Sequence, residues 1–456
     1  MNLRQAIATQ PMRPFQIRVI VICIFLAFID GFEILIAGYV APFLAKPEVW
    51  GLSNVETGWL LSAGTIGMAA GGIFISPLAD RIGRRRHILA MLVLIIVGMS
   101  LSAISPNYPF LLVVRAFAGL WIGALLPSIN ILVSEYSSDA RRGTAMGIYG
   151  IGLPLGAATG GFISTFLIGA WGWRAPFWFA TLITVVLLLT AWRWLPESIS
   201  YLVEKHPPNA LQTYNTIADQ LGYPQASELP PAYSEKAHHV TVGTLFHGVL
   251  ARRTTLLWIG FFCQYAAFYF ANTWTPKLLS DATQDATLGV RAGVLVSVGG
   301  IVGALVFAWL STKVHPRLLT AGLAVIFGLG FFGLYAYYFG TPALALTLAL
   351  AVGFTTNGGN AAYYAISPPV YPTRARATGV GWMIGIGRIG SIIAPVVAGY
   401  LLAAGVSGPG LYRIFGVVIA IGGVMVYFLH RSYRGQEEDA DKVVAALAAP
   451  TPTHSR

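Results

Sequence analysis

Two carboxylates and two guanidiniums stand where the surrounding sequence is apolar. Asp30 and Glu33 lie within "LAFIDGFEILIAGYVAPFL", residues 26–44. They are three apart and share a face of any helix formed there. Arg115 lies within "LLVVRAFAGLWIGALLPS", 111–128, and Arg388 within "GIGRIG", 385–390. A charge at the centre of a bilayer costs about 2.5–3.5 kcal/mol on insertion scales, so such groups are expected to face protein or water. Neighbouring acids in apolar surroundings repel each other and resist ionisation, which favours proton uptake. An arginine nearby opposes that tendency. A carboxyl poised between the two influences exchanges a proton as its partner moves, whereas a static buried ion pair is the competing reading. Arg388, near the middle of its run, offers a fixed cation to an anionic substrate or a carboxylate. Arg115 stands close to the start of its run, so its alternative is to snorkel to the outer surface.

Other stretches look built for movement. "SPLADRIGRRRHI", 76–88, sets Asp80 beside Arg81, Arg84, Arg85 and Arg86, with Gly83 to let one helix reverse into the next. An acid there can pair with basic groups in one state and release them in another. "GIYGIGLPLGAATGG", 147–161, carries Pro154 in mid-run, tolerable in a membrane where neighbouring helices satisfy the freed backbone. Gly119 and Gly123, four apart, form a small face for close helix contact. "GIGRIG" formally matches a dinucleotide-binding glycine pattern, but no strand precedes it and it lies inside an apolar helix.

The elements that must hold these residues are membrane helices. The chain has 456 residues, 56% hydrophobic and only 10% charged, with a net charge of +11 and a mean hydropathy of +0.68. Soluble domains carry about 25% charged residues, and a crossing needs about 20 apolar residues. Twelve spans are expected: 17–44, 53–79, 87–104, 109–134, 143–169, 174–195, 254–280, 288–313, 317–339, 341–366, 377–404 and 409–430. Residues 1–196 form a first six-helix bundle, 197–253 a polar cytoplasmic linker with one short surface helix around 211–221, 254–430 a second bundle, and 431–456 a tail. The basic residues fall in short loops, the pattern of cytoplasmic membrane loops rather than of a nucleic-acid binder. With the N-terminus inside, the outer segments hold only Lys46, Arg174, Lys277, Arg291 and Arg413. Both termini are therefore expected in the cytoplasm. Cys23 and Cys263 each sit in an apolar run and read as buried small hydrophobes. The first run is too long for a signal-peptide core, so it is expected to be retained.

The two halves echo each other. Arg142, Thr144 and Gly147 of "RRGTAMG" match Arg376, Thr378 and Gly381 of "RARATGVG", and "LSTKVHPR" is a degraded copy of "LADRIGRRR". Duplicated six-helix halves are a transporter signature, with the binding site expected at their interface near the midplane.

The 76–88 stretch resembles the signature loop of the major facilitator superfamily, with Ser76 in place of the first glycine of the pattern. The segments around Arg115 and Pro154 resemble the fourth- and fifth-helix motifs of that superfamily, and "LPESISYL", 195–202, resembles its sixth-helix exit. Within it, "DGFEILIAGYVAP" and "YPTRARATGVGW" resemble the aromatic acid:proton symporters, although Glu33 replaces a second Asp. The resemblance implies an all-α membrane fold of two pseudo-symmetric six-helix bundles. It implies proton coupling through Asp30, Glu33 and Arg115.

The expected activity is proton-coupled import of small aromatic carboxylates by alternating access, at the plasma membrane, the inner membrane of a bacterium. The carboxylate would bind at Arg388, its ring against Tyr265, Tyr269, Trp274, Tyr363 and Trp382; each of these aromatics also has a purely structural reading. Asn357 and Asn360 of "TTNGGN" would hydrogen-bond a ring hydroxyl, or else pack between helices. Asp80, Arg81, Gly83, Arg84, Arg85, Glu135 and Arg142 would latch the cytoplasmic side. No metal and no cofactor is expected beyond the proton, no enzymatic constellation is found, and a monomer is expected. A carrier of another organic anion and a drug:proton antiporter are the alternatives.

Overall fold

The computed structural model describes residues 3–231 and 241–433. Among the described residues twelve long helices, α1–α12, carry the architecture. They are α1 Pro14–Leu44, α2 Asn54–Ile82, α3 Arg84–Ala103, α4 Tyr108–Glu135, α5 Asp139–Trp171 and α6 Ala175–Trp194. The rest are α7 Gly248–Thr283, α8 Ala286–Leu310, α9 Pro316–Tyr337, α10 Pro342–Ile366, α11 Thr373–Ala403 and α12 Gly408–Arg431. Eleven of them are long and apolar enough to cross a membrane. The twelfth, α10, is set apart by its polar "TTNGGN" turn. Its outward faces remain apolar, as on the other helices: Leu344 on α10, Phe74, Val113, Phe166 and Ile326 elsewhere are exposed. Contiguous exposed apolar faces of this kind need lipid to cover them. The chain is an integral membrane protein.

Local chemistry starts the helices where the sequence breaks. Ser53 and Glu56 form a reciprocal capping box at α2, with Ser53 N–H on Glu56 Oε2 at 2.9 Å. Asn107 Oδ1 accepts from Phe110 N–H at 3.0 Å to open α4, followed by Pro109 in its first turn. Asp285 caps α8 through the amides of Thr287 and Leu288.

Two compact units divide the chain: Met1–Ser234 with Gly289–Val294, and Glu235–Leu288 with Leu295–Arg456. Inside the first, α1 packs on α5 and α2 on α4. The contacts are backbone to backbone. A Cβ on Gly156 would overlap the carbonyl oxygen of Phe28, and one on Gly119 that of Gly64. Gly123 meets Met68 in the same way, so the small face expected at Gly119 and Gly123 is in place. Inside the second unit, α7 packs on α11 and α12. Gly353 of α10 meets the Val296 carbonyl of α8 as closely. The first helix thus packs with the fifth, and the second with the fourth, in each unit.

The segment after α6 is more ordered than a plain linker. Ile199–Lys205 and Ala210–Gln220 are helical. Tyr214, Ile217 and Ala218 are buried in the core of the first unit. The Tyr214 hydroxyl accepts from the Leu3 amide at 2.9 Å, which ties the linker to the N-terminal helix Leu3–Thr9. The stretch containing "EKAHH" and the tail expected after 430 lie, but for a few residues, outside the described residues.

Candidate functional site

Asp30 and Glu33 point into the first unit, and neither has measurable exposure. The close α1–α5 approach makes this possible: Gly31, between them, lies against the Leu153 carbonyl, where no side chain fits. Neither carboxylate oxygen of Asp30 has a hydrogen-bond partner, nor does Glu33 Oε2. Tyr149 of α5 lies within electrostatic reach of Asp30. Glu33 Oε1 is 2.9 Å from the Thr184 hydroxyl of α6, which is also 2.7 Å from the Ala180 carbonyl. A hydroxyl has one proton to give. When Thr184 donates to Glu33, the carboxylate accepts; when it donates to Ala180, a protonated Glu33 donates back to Thr184. The same contact therefore serves both protonation states of Glu33.

Arg115 is 1% exposed, so it does not snorkel outward. Its Nη2 donates to the backbone carbonyl of Glu33 at 2.7 Å, and Nη1 lies 3.4 Å from Met99 Sδ. Its guanidinium sits 5.7 Å from the Phe177 ring centroid. Among the described residues no ion pair within 4.0 Å joins Arg115 to either acid. A static buried ion pair is thus not what holds these groups. A backbone carbonyl takes one guanidinium nitrogen without neutralising the charge, and Arg115 Nε has no hydrogen-bond partner.

The second unit gathers different groups. Arg388 of α11 donates through Nη1 to the Tyr269 hydroxyl at 3.4 Å. Tyr265 and Tyr364 are its other electrostatic neighbours, and their hydroxyls lie 3.0 Å apart. Phe261 and Phe268 complete the aromatic wall, 4.5 and 5.9 Å from the Tyr265 ring. Of the five aromatics expected near Arg388, Tyr265 and Tyr269 are there. Trp274 is buried with its indole N–H on the Pro395 carbonyl, and the Tyr363 hydroxyl is committed to the Gly422 carbonyl. Trp382 is half exposed and stacks on Trp258. Asn357 Nδ2 and Asn360 Oδ1 have no hydrogen-bond partner, and Asn357 lies against Gly300. Unsatisfied buried amides of this kind are open to a ligand or water.

The α2–α3 turn forms a third cluster. Gly83 has φ +97°, a backbone open to glycine, and a Cβ there would stand 2.5 Å from Glu197 Oε2. Arg84 joins Asp80 at 3.2 Å, Glu135 at 3.3 Å and the Ser198 hydroxyl at 2.6 Å. Ser198 in turn donates to Glu135 Oε2 at 2.7 Å. Arg85 reaches the Trp192 carbonyl, and the Arg81 carbonyl accepts from Tyr201. Arg142 stands apart, paired with Asp139 at 2.7 Å and with the Ser134 carbonyl. Glu197 Oε1 accepts the amides of Arg85 and Ser198. Burial pushes its carboxyl above the usual 4.5, against the pull of those amides and of the Arg85 charge.

The family model for the Major Facilitator Superfamily matches residues 22–359 and 292–452. The chain belongs to the major facilitator superfamily. The fold agrees with a solved structure: the xylose transporter XylE from E. coli, described as partially occluded and inward open, superposes with a TM-score of 0.69 at 15% identity, covering 91% of this chain and 98% of that one. The 4-hydroxybenzoate transporter PcaK of Pseudomonas putida is 32% identical over 89% of this chain and 90% of its own length. The gallate transporter of Pseudomonas putida is 31% identical, covering 91% and 92%. The benzoate transport protein of Acinetobacter baylyi is 27% identical, covering 94% and 92%.

Neither Thr184 nor Tyr364 is marked by its sequence neighbours, and Glu197 and Ser198 of "LPESISYL" carry no pattern that gives them a task. Thr184 is one threonine in an apolar helix, and nothing in its neighbours separates it from Thr181 or Thr190. Glu197 had a signal: an acid just after a helix end whose last turns are otherwise basic and aromatic.

Proposed function

We propose that the protein is a proton-coupled secondary transporter that imports small aromatic carboxylates of the hydroxybenzoate type by alternating access. One observation carries the reading: two fully buried acids, Asp30 and Glu33, whose carboxylates have no cation on them. Buried ionisable groups within spans mark ion pathways, and here the group left to neutralise them is the proton. Glu33, held by Thr184 in either protonation state, and Asp30 take up and release the proton; Arg115 fixes the backbone of the same helix turn. Arg388 with Tyr265, Tyr269 and Tyr364 receives the substrate carboxylate and ring, and Asn357 and Asn360 offer amides to a ring hydroxyl. The relatives named as 4-hydroxybenzoate, gallate and benzoate transporters support that substrate class.

In this reading bundles 1–196 and 254–430 are joined by a cytoplasmic linker, 197–253, with the tail 431–456 also cytoplasmic, in the inner membrane of a bacterium. Asp80, Arg84 and Glu135, with Gly83 at the turn, latch the cytoplasmic end of the first bundle. Arg81, Arg85 and Arg142 support it through their own contacts.

The test is uptake of labelled 4-hydroxybenzoate into proteoliposomes with an inward proton gradient. Accumulation that collapses with a protonophore supports the proposal. Accumulation that persists without any gradient, or transport only outward against a proton influx, overturns it.

A further inference from the structure

The first unit contains a cavity of about 620 Å³ to which the proposed transport cycle gives no ligand. Its wall brings together Arg18 from α1, Arg85 and Arg86 from α3 and Arg193 from α6. The linker helix Ala210–Gln220 also lines it, presenting Gln212, Thr213, Thr216 and Gln220 beside Ile217. The apolar side of that helix, with Tyr214 and Ala218, is held in the core. The helix is thus fixed in the orientation that turns its amides and hydroxyls inward to the arginines.

Basic helix ends are ordinary on the cytoplasmic side of a membrane. What sets this site apart is the convergence of four guanidiniums on a cavity lined by a single acid, Glu197, which lies within electrostatic reach of Arg85. Among the described residues none of the four guanidiniums forms an ion pair. Arg85 directs Nη2 to the Trp192 carbonyl, and Arg18 lies over the Phe15 ring. The acid on the wall, Glu197, already accepts two backbone amides through Oε1. Like charges gathered around one hollow repel unless an anion sits among them. Guanidiniums are matched in shape to phosphate oxygens. We propose that this cavity binds the phosphate group of an anionic ligand.

Two sources present that group: an anionic phospholipid headgroup and a soluble phosphate compound. Trp192 and Trp194 flank Arg193 and are both exposed, as aromatic side chains at a membrane–water interface are. The cavity therefore lies at headgroup level, and a lipid is the expected source.

The experiment uses the full-length protein, delipidated in detergent. One arm adds phosphatidylglycerol, with phosphatidylcholine as control, and counts bound lipid by native mass spectrometry. The other arm titrates pyrophosphate by calorimetry. The variant is Arg18→Gln, Arg86→Gln and Arg193→Gln combined, none of which touches Asp30, Glu33 or Arg388. Expected is selective binding of phosphatidylglycerol that weakens on the order of 100-fold in the variant, from about a factor of five per basic side chain. Pyrophosphate binding with the same loss upholds the site and assigns a soluble source. Should the triple variant not fold, Thr216→Glu sets a negative charge on the cavity wall and is expected to weaken binding likewise. No preference for either phosphate probe over phosphatidylcholine, or equal binding by wild type and variants, overturns the proposal.

Discussion

In the first unit the charges inside the helices are two carboxylates and an arginine that holds a backbone carbonyl. In the second, the mid-span charge is Arg388 among phenol hydroxyls. Arg253 and Lys277 are buried towards the two ends of α7, Lys277 paired with Asp281. Among the described residues the acids Asp281 and Asp285 stand at the α7–α8 end, away from Arg388. The scaffolds under these sites are alike, first helix on fifth and second on fourth, closed by glycines. The difference teaches that close packing of small residues belongs to the repeated fold, whereas the chemistry was placed separately in each copy. A carboxyl suits a proton; a guanidinium ringed by aromatic hydroxyls suits an aromatic anion. Under the proposed function, coupling falls to the first unit and substrate recognition to the second.

The largest effects test the shared scaffold. Gly156→Leu in the first unit and Gly353→Leu in the second each push a side chain into a neighbouring backbone carbonyl. Each is expected to cost about 3 kcal/mol or more, seen as a collapse of the folded fraction on size-exclusion chromatography. If one were tolerated and the other not, the packing of the two units would not be equivalent.

Next comes recognition. Arg388→Ala removes the cation offered to the carboxylate, and charge-assisted hydrogen bonds are worth about 1.5–3 kcal/mol. The half-saturating concentration of 4-hydroxybenzoate is expected to rise by on the order of 100-fold. Arg115→Lys is expected to lower the maximal rate and leave that concentration nearly unchanged. The reverse pattern would swap the roles of the units.

A smaller effect sharpens the account of Glu33. Thr184→Val keeps the shape and removes the hydroxyl shared with Glu33 and Ala180. A net hydrogen bond of about 1 kcal/mol predicts roughly a fivefold fall in coupled uptake at saturating substrate, restored by Thr184→Ser. An unchanged rate would make Thr184 a helix-packing residue only.

The smallest effect concerns Glu197. Burial raises its carboxyl above the usual 4.5, so ionising it costs the folded unit. Thermal stability should therefore decline as pH rises from below that value through the raised one. Glu197→Gln keeps an oxygen for the Arg85 and Ser198 amides and should flatten the decline, measured by thermal unfolding between about pH 4 and about pH 7. A slope equal to wild type would move its origin to other groups.

Much of this was legible in the sequence because membrane helices announce themselves. The expected spans meet the observed ones within a few residues, the widest gap being at α7, which begins at Gly248 rather than 254. There "GVLARR", with Arg252 and Arg253 next to the apolar run, continues the helix N-terminally. Asp30, Glu33 and Arg388 stood out because charge is costly in lipid. What sequence could not supply was pairing. Either Arg115 or Arg388 could oppose proton uptake by the acids on the sequence alone, with snorkelling as the alternative for Arg115. Arg115 meets the Glu33 carbonyl instead, since side-chain reach depends on how closely α1 and α4 approach. Arg142 carries the same charge as Arg84, but the helix it starts turns it to Asp139 and Ser134, not into the α2–α3 cluster. Trp274 and Tyr363 read as ligand-facing aromatics, yet their polar atoms are tied to carbonyls of α11 and α12. A linker helix with one apolar face gave little hint that it docks on the N-terminal helix, because its partner there, Leu3, is distant in sequence.

The most direct measurement is substrate-driven proton movement in proteoliposomes loaded with a pH dye and given no gradient. Adding 4-hydroxybenzoate outside is expected to acidify the lumen with wild-type protein. Asp30→Asn and Glu33→Gln are expected to abolish that acidification while labelled substrate still exchanges across the membrane. Acidification at the wild-type proton-to-substrate ratio in both variants would contradict the account.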